Sequence, residues 1–467
     1  MKALWVMALL VIGHIEARRS LRRPLVLQRS LTRTFSKRQQ GLVGHGVHRA
    51  RVVDADSAGI AEAGAWLRSG RLVAFPTETV YGLGANALDV DSCCSIFAAK
   101  QRPMSDPLIV HVSSFEDTAG LLEYADDMEE GGGGGGGGGG RAVVALLCKA
   151  FWPGPLTVVH KAAAAVPSEV TGATGYVGVR SPVHPMARAL LKAAGVPVAA
   201  PSANRFGHVS PTSHLHVVRD LGDQDIMVLR DTTDDDDDDD DDGAGAGTGT
   251  GTGGCTHGIE STVCQVAQDG RSVSVLRAGP VTPTMMADVL RRAGLGSVAV
   301  TLANSNGLAA GVGVEVGGLP VPAESRDKAV APGQMLKHYA PDVPTTILSC
   351  NLVHNAPQEV RRRVHGGLVV DYGGRLKSLV ADSAAQYWDL SPAGDARQAC
   401  RGVFALLRRA EDCAAAAGAA DEASAVGGGE ARVRLFLPDL RADAAKDEMV
   451  LALWERLHRA ASGRFEE

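Results

Sequence analysis

The chain has 467 residues, is 45% hydrophobic but only 4% aromatic, and carries a formal net charge of −6. Nine of its acids form one run, residues 234–242, so the remainder sits near +3. The length accommodates two or three domains with aliphatic cores, and the charge is too weak for a broad nucleic-acid-binding face. Eight cysteines (Cys93, Cys94, Cys148, Cys255, Cys264, Cys350, Cys400 and Cys413) include no CxxC pair. They are too sparse for a disulfide scaffold, so free thiols in a reducing compartment are expected. Cys255-Thr256-His257 would be half of a metal site with nothing to complete it.

The first fifty residues hold ten Lys/Arg and one acid, Glu16. An apolar run at 3–12, too short to span a bilayer, precedes an Arg- and Ser-rich stretch. This is the pattern of a targeting segment, mitochondrial or plastid, and residues 1–50 are set aside from the fold. No other run of 18 apolar residues follows, so a soluble body without a membrane span is expected. Residues 57–68 read as a helix, and LVAFP (72–76) as a buried strand opening into TETVY and a glycine-spaced loop, Gly82-Leu83-Gly84. A helix over 91–100, capped by Asp91, ends in Lys100-Gln101-Arg102-Pro103. Then come strand LIVHV (108–112), helix 141–151, strands LTVVH (156–160) and YVGVR (176–180), and helix 184–194. Strand PVAAP (197–201), helix 213–221 and strand IMVLR (226–230) follow, then STVCQV (261–266), VSVLR (273–277) and helix 284–293. Two low-complexity inserts, 129–141 with ten glycines and 232–256 with the Asp run, are expected to be disordered loops.

Alternation of this kind predicts an α/β fold built on an open, twisted mixed sheet over residues 51–294. Residues 295–341 read as a linker or lid. A second, smaller Rossmann-like α/β domain over 342–467 begins with TTILS (345–349) and GLVVDY (367–372). It continues with a helix near 396–410, an Ala/Gly-rich insert over 410–429, RLFLP (434–438) and a final helix over 446–461.

No GxSxG, HExxH or P-loop is present, and Gly82-x-Gly84-x-x-Ala87 lies five residues too far from its strand for a dinucleotide fingerprint. Polar residues instead cluster at strand ends: Thr77, Glu78, Thr79 and Tyr81 after LVAFP; Lys100, Arg102 and Asp106 before LIVHV; His111 within it; Arg180 closing YVGVR. Ser202, Asn204 and Ser210 follow PVAAP, Glu260-Ser261-Thr262 opens STVCQV, and Arg277 closes VSVLR. Singly, these residues suit helix caps, ion pairs or structural histidines. Together, three Arg, a Lys and several hydroxyls at successive strand ends suit a multiply charged anion such as a triphosphate.

On FPTETVYGLG (75–84), KQRPMSDPLIVHV (100–112), FWPGPLTVV (151–159), VGVRSPVHP (177–185), APSANRFGHVSPT (200–212), GIESTV (258–263) and LRAGPVT (276–282), the chain resembles the YrdC-like threonylcarbamoyl-AMP synthases. APGQMLKHYAP (331–341) and LALWERLHRAASGR (451–464) resemble that family's long form, with its linker and C-terminal Rossmann-like domain. The resemblance implies condensation of L-threonine, bicarbonate or CO2, and ATP to threonylcarbamoyl-adenylate and pyrophosphate. A separate tRNA threonylcarbamoyl transferase would act downstream.

The family's Lys-x-Arg and Ser-x-Asn signature falls on Lys100, Arg102, Ser202 and Asn204, which are therefore expected to be catalytic. By the same resemblance ATP would meet Arg102, Asp106, Tyr176, Ser202, Ser210, Arg277 and Tyr339. Threonine would meet Thr79, His111, Arg180, Ser261 and the backbone at Ala200. No protein-bound metal is implied; Mg2+ is expected on the nucleotide. Asp106 departs from the Asn of many members, trading a donor to phosphate for a group that favours a metal; Leu336 is a second departure. The resemblance implies a cytoplasmic enzyme, at most weakly in contact with RNA. Two alternatives are a carbamoyl-adenylate-forming enzyme, which lacks here its acylphosphatase-like and zinc-finger regions, and a non-catalytic module that binds double-stranded RNA or a nucleotide.

Overall fold

In the computed structural model, which describes residues 50–124, 139–231, 254–303, 338–423 and 433–467, the aliphatic runs become strands. They are β1 (Arg51–Asp54), β2 (Leu72–Phe75), β3 (Gly82–Asn86), β4 (Ile109–His111), β5 (Leu156–Lys161), β6 (Tyr176–Arg180), β7 (Val198–Ala199), β8 (Ile226–Arg230), β9 (Thr262–Val266), β10 (Ser272–Arg277) and β11 (Ala299–Leu302). They form one sheet in the order β1-β8-β2-β3-β7-β4-β6-β5-β9-β10-β11. Directions are mixed: β2 runs parallel to β8 and antiparallel to β3, while β4 runs parallel to β6 and antiparallel to β7. The expected open mixed α/β sheet is present.

Alternate residues of one strand enter different cores. Leu72 and Ala74 join a cluster with helices Val90–Lys100 and Gly140–Phe151, while Val73 and Phe75 join one with Ser57–Arg68 and Pro185–Ala194. Burial on both faces is why this strand reads as a continuous apolar run rather than an alternating one. The helices begin where short polar side chains accept backbone N–H groups: Asp56 from Gly59, Ser213 from His216 and Thr282 from Met285.

Several boundaries differ from expectation. Gly82–Asn86 is a strand paired to β2 rather than a loop. Its glycines hid it, and Gly84 has a packing reason: a Cβ there would lie 2.8 Å from Val198 and 2.9 Å from Phe75. The cap of the next helix is Asp89, which accepts from the Asp91 N–H, so Asp91 sits in the first turn. β11 pairs with β10 inside the stretch read as linker, carrying the first sheet past residue 294. The helix at Ala396 runs to Ala423, through much of the expected Ala/Gly-rich insert, because alanine is the strongest helix former. Most of both inserts, the segment 1–49 and Leu336 lie outside the described residues.

The second sheet is wholly parallel: β12 (Thr345–Leu348), β13 (Leu368–Asp371), β14 (Gln386–Asp389), β15 (Leu435–Pro438) and β16 (Phe465–Glu466), in the order β14-β13-β15-β12-β16. Its core is continuous with the first part of the chain, since Val80, Val209, Ile259, Ala278 and Tyr339 pack with Phe404, Leu407 and Trp454. All eight cysteines are free. No helix among the described residues is long and apolar enough to cross a membrane.

A polar junction joins the two sheets' elements. His208 Nδ1 lies 2.8 Å from Asp220, and its Nε2 lies 2.6 Å from Glu411 on the long helix. Arg408, one turn earlier, forks onto both Asp220 oxygens at 3.0 Å. Burial pushes the imidazole down, but the two carboxylates outweigh it and hold His208 up at about 9. A histidine raised above its unfolded value stabilises fully below that value and loses the contribution as pH rises through the folded one. The junction is therefore expected to weaken between about pH 6.5 and pH 9, by at most about 3 kcal/mol. Melting temperature against pH should fall across that window in the parent protein, and the slope should be absent from His208→Asn.

Candidate active site

One cavity opens among the strand ends of the first sheet. The turn after β2 supplies Thr77, Thr79 and Tyr81, and β3 opens with Gly82; β4 supplies Ile109 and His111; β6 supplies Arg180. The segment after β7 adds Ala200, Pro201 and Ser202, the residues just before β9 add Glu260 and Ser261, and the end of β10 adds Arg277. Arg102 enters from beyond the helix Val90–Lys100, and His338 and Tyr339 close the wall from the far side.

The turn is self-supported. Thr77 Oγ1 donates to Val80 O at 2.6 Å and accepts from the Thr79 and Val80 N–H groups at 3.2 Å. It presents Glu78 and Thr79 to Arg180, whose Nη2 pairs with Glu78 Oε1 at 2.5 Å and whose Nη1 donates to Thr79 Oγ1 at 3.0 Å. Burial raises the Glu78 carboxyl, but the Arg180 guanidinium outweighs it and holds Glu78 below its ordinary value. Arg180 Nε is buried without a hydrogen-bond partner among the described residues, as is the Tyr339 hydroxyl. Both residues line the cavity. His111 is paired in register with Arg180 across β4 and β6; burial and that guanidinium push it down to about 3, so its imidazole is neutral.

Arg102 is held by Asp106 O (3.2 Å), Pro107 O (2.8 Å) and the Asp106 carboxylate (3.0 Å). Burial raises the Asp106 carboxyl more than Arg102 lowers it. Arg277 grips Ser261 O through Nε and Nη2, and Ser261 Oγ lies 2.8 Å from Thr157 Oγ1.

Of the expected residues, Thr79, Arg102, His111, Arg180, Ala200, Ser202, Ser261, Arg277 and Tyr339 line this one cavity. Five do not. Lys100 lies beneath it, fully buried, with Nζ donating to Ser202 O at 2.5 Å and to Asn204 O. Asn204 turns inward, its Nδ2 donating to Arg205 O and His208 O at 2.7 and 2.8 Å. Asp106 stands behind Arg102. Ser210 lies behind Glu260, donating to its Oε1 at 2.6 Å. Tyr176 begins β6, four residues before Arg180, and packs with Val159 and Leu276 on another cluster. A strand rises about 3.3 Å per residue, so Tyr176 is roughly 13 Å from the cavity end of β6. His338 is a wall residue that sequence reasoning passed over, although it lay in the string 331–341.

The fold and its cavity define a class: an α/β protein with three guanidinium groups around one cavity at the strand ends of its sheet. Two family models match. One, described as telomere recombination, covers residues 65–241; the other, described as the C-terminal domain of threonylcarbamoyl-AMP synthase, covers residues 282–462. The chain belongs to the threonylcarbamoyl-AMP synthase family. The synthase of Pyrococcus abyssi is 46% identical over 158 residues, 34% of this chain and 42% of that protein. The synthase of Bacillus subtilis is 34% identical over 290 residues, 62% of this chain and 66% of that protein. The matches thus span less than two thirds of either relative. In structure, P. abyssi Sua5 complexed with L-threonine superposes over 89% of this chain and 98% of its own, with TM-score 0.62 and 26% identity.

Proposed function

We propose that this chain condenses L-threonine, CO2 or bicarbonate, and ATP to threonylcarbamoyl-adenylate with release of pyrophosphate, supplying a tRNA threonylcarbamoyl transferase. The observation that carries the reading is the meeting of Arg102, Arg180 and Arg277 on one cavity wall with the hydroxyls of Thr79, Ser202 and Ser261. The threonine held by the archaeal relative supports the same amino acid here.

Arg180, with its orphaned Nε and its place beside Thr79 and His111, suits the threonine carboxylate. Ser261 and the Ala200 backbone would complete that subsite. Arg102, Arg277, Ser202 and Tyr339 suit the nucleotide, its phosphates facing the two guanidiniums. The threonine amine attacks carbon dioxide and loses a proton, giving a carbamate. A carbamate oxygen then attacks the α-phosphorus, and the bond to the β-phosphate oxygen breaks as pyrophosphate leaves. No covalent enzyme intermediate is required; the protein's work is alignment and stabilisation of phosphoryl charge. A neutral His111 adds no positive charge to the threonine end.

The carboxylates near the cavity are committed to cations: Asp106 to Arg102, Glu78 to Arg180, Glu260 to Arg456. They do not fit the direct ligation of a metal, so Mg2+ would travel on the nucleotide's phosphates and water. Lys100 and Asn204 act as struts under the Ser202 segment rather than as groups that meet substrate.

The test is pyrophosphate release with and without threonine, with the adenylate identified by mass. Threonine-dependent release is expected. Equal release without threonine would remove the reading, and release driven by carbamoyl phosphate alone would favour a carbamoyl-adenylate enzyme.

A further inference from the structure

Arg456 lies on the last helix, Glu448–Ala460, among the elements of the second sheet, yet it is fully buried against the cavity wall of the first. Its Nε lies 3.2 Å from Glu260 Oε2, and its Nη1 donates to Ala278 O at 2.5 Å. Its guanidinium stands 6.0 Å from the Tyr339 ring centre. Glu260 and Ala278 adjoin Ser261 and Arg277 in the chain. One side chain therefore ties together the two strand ends that bring Ser261 and Arg277 to the cavity.

We infer that Arg456 is a positioning residue for the nucleotide end of the site, acting through Glu260 to keep Ser210 and Arg277 in place. The inference rests on the synthase reading for the identity of the nucleotide. Glu260 is a buried carboxylate with two cations in range, Arg456 and Arg277. Held on one oxygen by Arg456 and on the other by Ser210 Oγ, it leaves Arg277 seated on Ser261 at the wall. Without Arg456, an uncompensated carboxylate would remain buried at the wall. The nearest remaining cation is Arg277, and a Glu260–Arg277 pair would withdraw that guanidinium from the triphosphate. The defect comes from the stranded carboxylate, so removing its charge should relieve it. A glutamine in place of Glu260 would still accept from Ser210.

Three variants of the full chain test this, read by ATP affinity from titration calorimetry and by the Michaelis constants of threonine-dependent pyrophosphate release. Arg456→Met should weaken ATP binding about tenfold while the threonine constant stays within twofold. Arg456→Met with Glu260→Gln should return ATP affinity to within threefold of the parent. Arg456→Lys, which keeps the charge, should also stay within threefold. Equal ATP affinity in the parent and Arg456→Met, parallel loss for both substrates, or no rescue in the double variant would overturn the inference. If Arg456→Met alone fails to fold, the double variant decides: parent-like affinity supports the route through Glu260, and a tenfold loss overturns it. ATP affinity needs no turnover, so absence of threonine-dependent release in the parent would count against the synthase reading and leave this test intact.

Discussion

Replacing Arg102 by alanine is expected to lower threonine-dependent pyrophosphate release by about 10²–10³-fold, the range seen when one aimed donor is removed from a developing oxyanion. Arg102 is fixed before any ligand arrives, by two carbonyls and the Asp106 carboxylate, so its charge costs no reorganisation during reaction. Arg102→Lys should recover little. A lysine is a point charge and cannot hold Asp106 O, Pro107 O and a phosphate together as a planar fork does. The variant also leaves Asp106 buried beside Lys100 without its partner. That carboxyl is already raised by burial, so it can take up a proton, and the fold should survive with a modest fall in melting temperature. The rate assay and a thermal melt on the same sample separate the two effects. Activity like that of the parent would remove Arg102 from the reaction.

The same residues show what a sequence can and cannot reveal here. The strands β2 and β8 were legible because burial on both faces makes them apolar runs, and β5, β6 and β10 because they are valine-rich; Arg180 and Arg277 were legible because each closes such a strand. β3 was not, because Gly82 and Gly84 carry no side chains to signal a strand; Gly84 is there to let Phe75 and Val198 close over it. The division between wall and foundation was also hidden. Lys100 and Arg102 stand two apart beside the same helix end, yet one is spent on the carbonyls of Ser202 and Asn204 and the other faces the cavity. Nothing in the spacing distinguishes them, because the difference lies in segments a hundred residues away. Arg408 and Arg456 were equally silent, and Glu260 was legible only as a strand-end acid without its partner. Each derives its role from a partner on the other sheet's elements, and long-range ion pairs leave no periodic trace.

Arg180→Ala is expected to raise the threonine requirement by about 10–10²-fold, one or two charge-assisted hydrogen bonds to a carboxylate, with ATP affinity unchanged. It should also destabilise the protein by about 3–5 kcal/mol, because Glu78 is left as an unpaired buried carboxylate. The two losses have different signatures. Glu78 is held below its ordinary value in the folded protein, so the pair's contribution is present above the unfolded carboxylate value and lost as pH falls through the folded one. The gap in melting temperature between the parent and Arg180→Ala should therefore be widest near neutrality and narrow toward acid. Adding Glu78→Gln should restore much of the stability, since no charge then remains buried alone, while the threonine requirement stays high. If the double variant recovered its threonine affinity along with its stability, Arg180 would be a structural partner of Glu78 and the carboxylate of threonine would have to be gripped elsewhere.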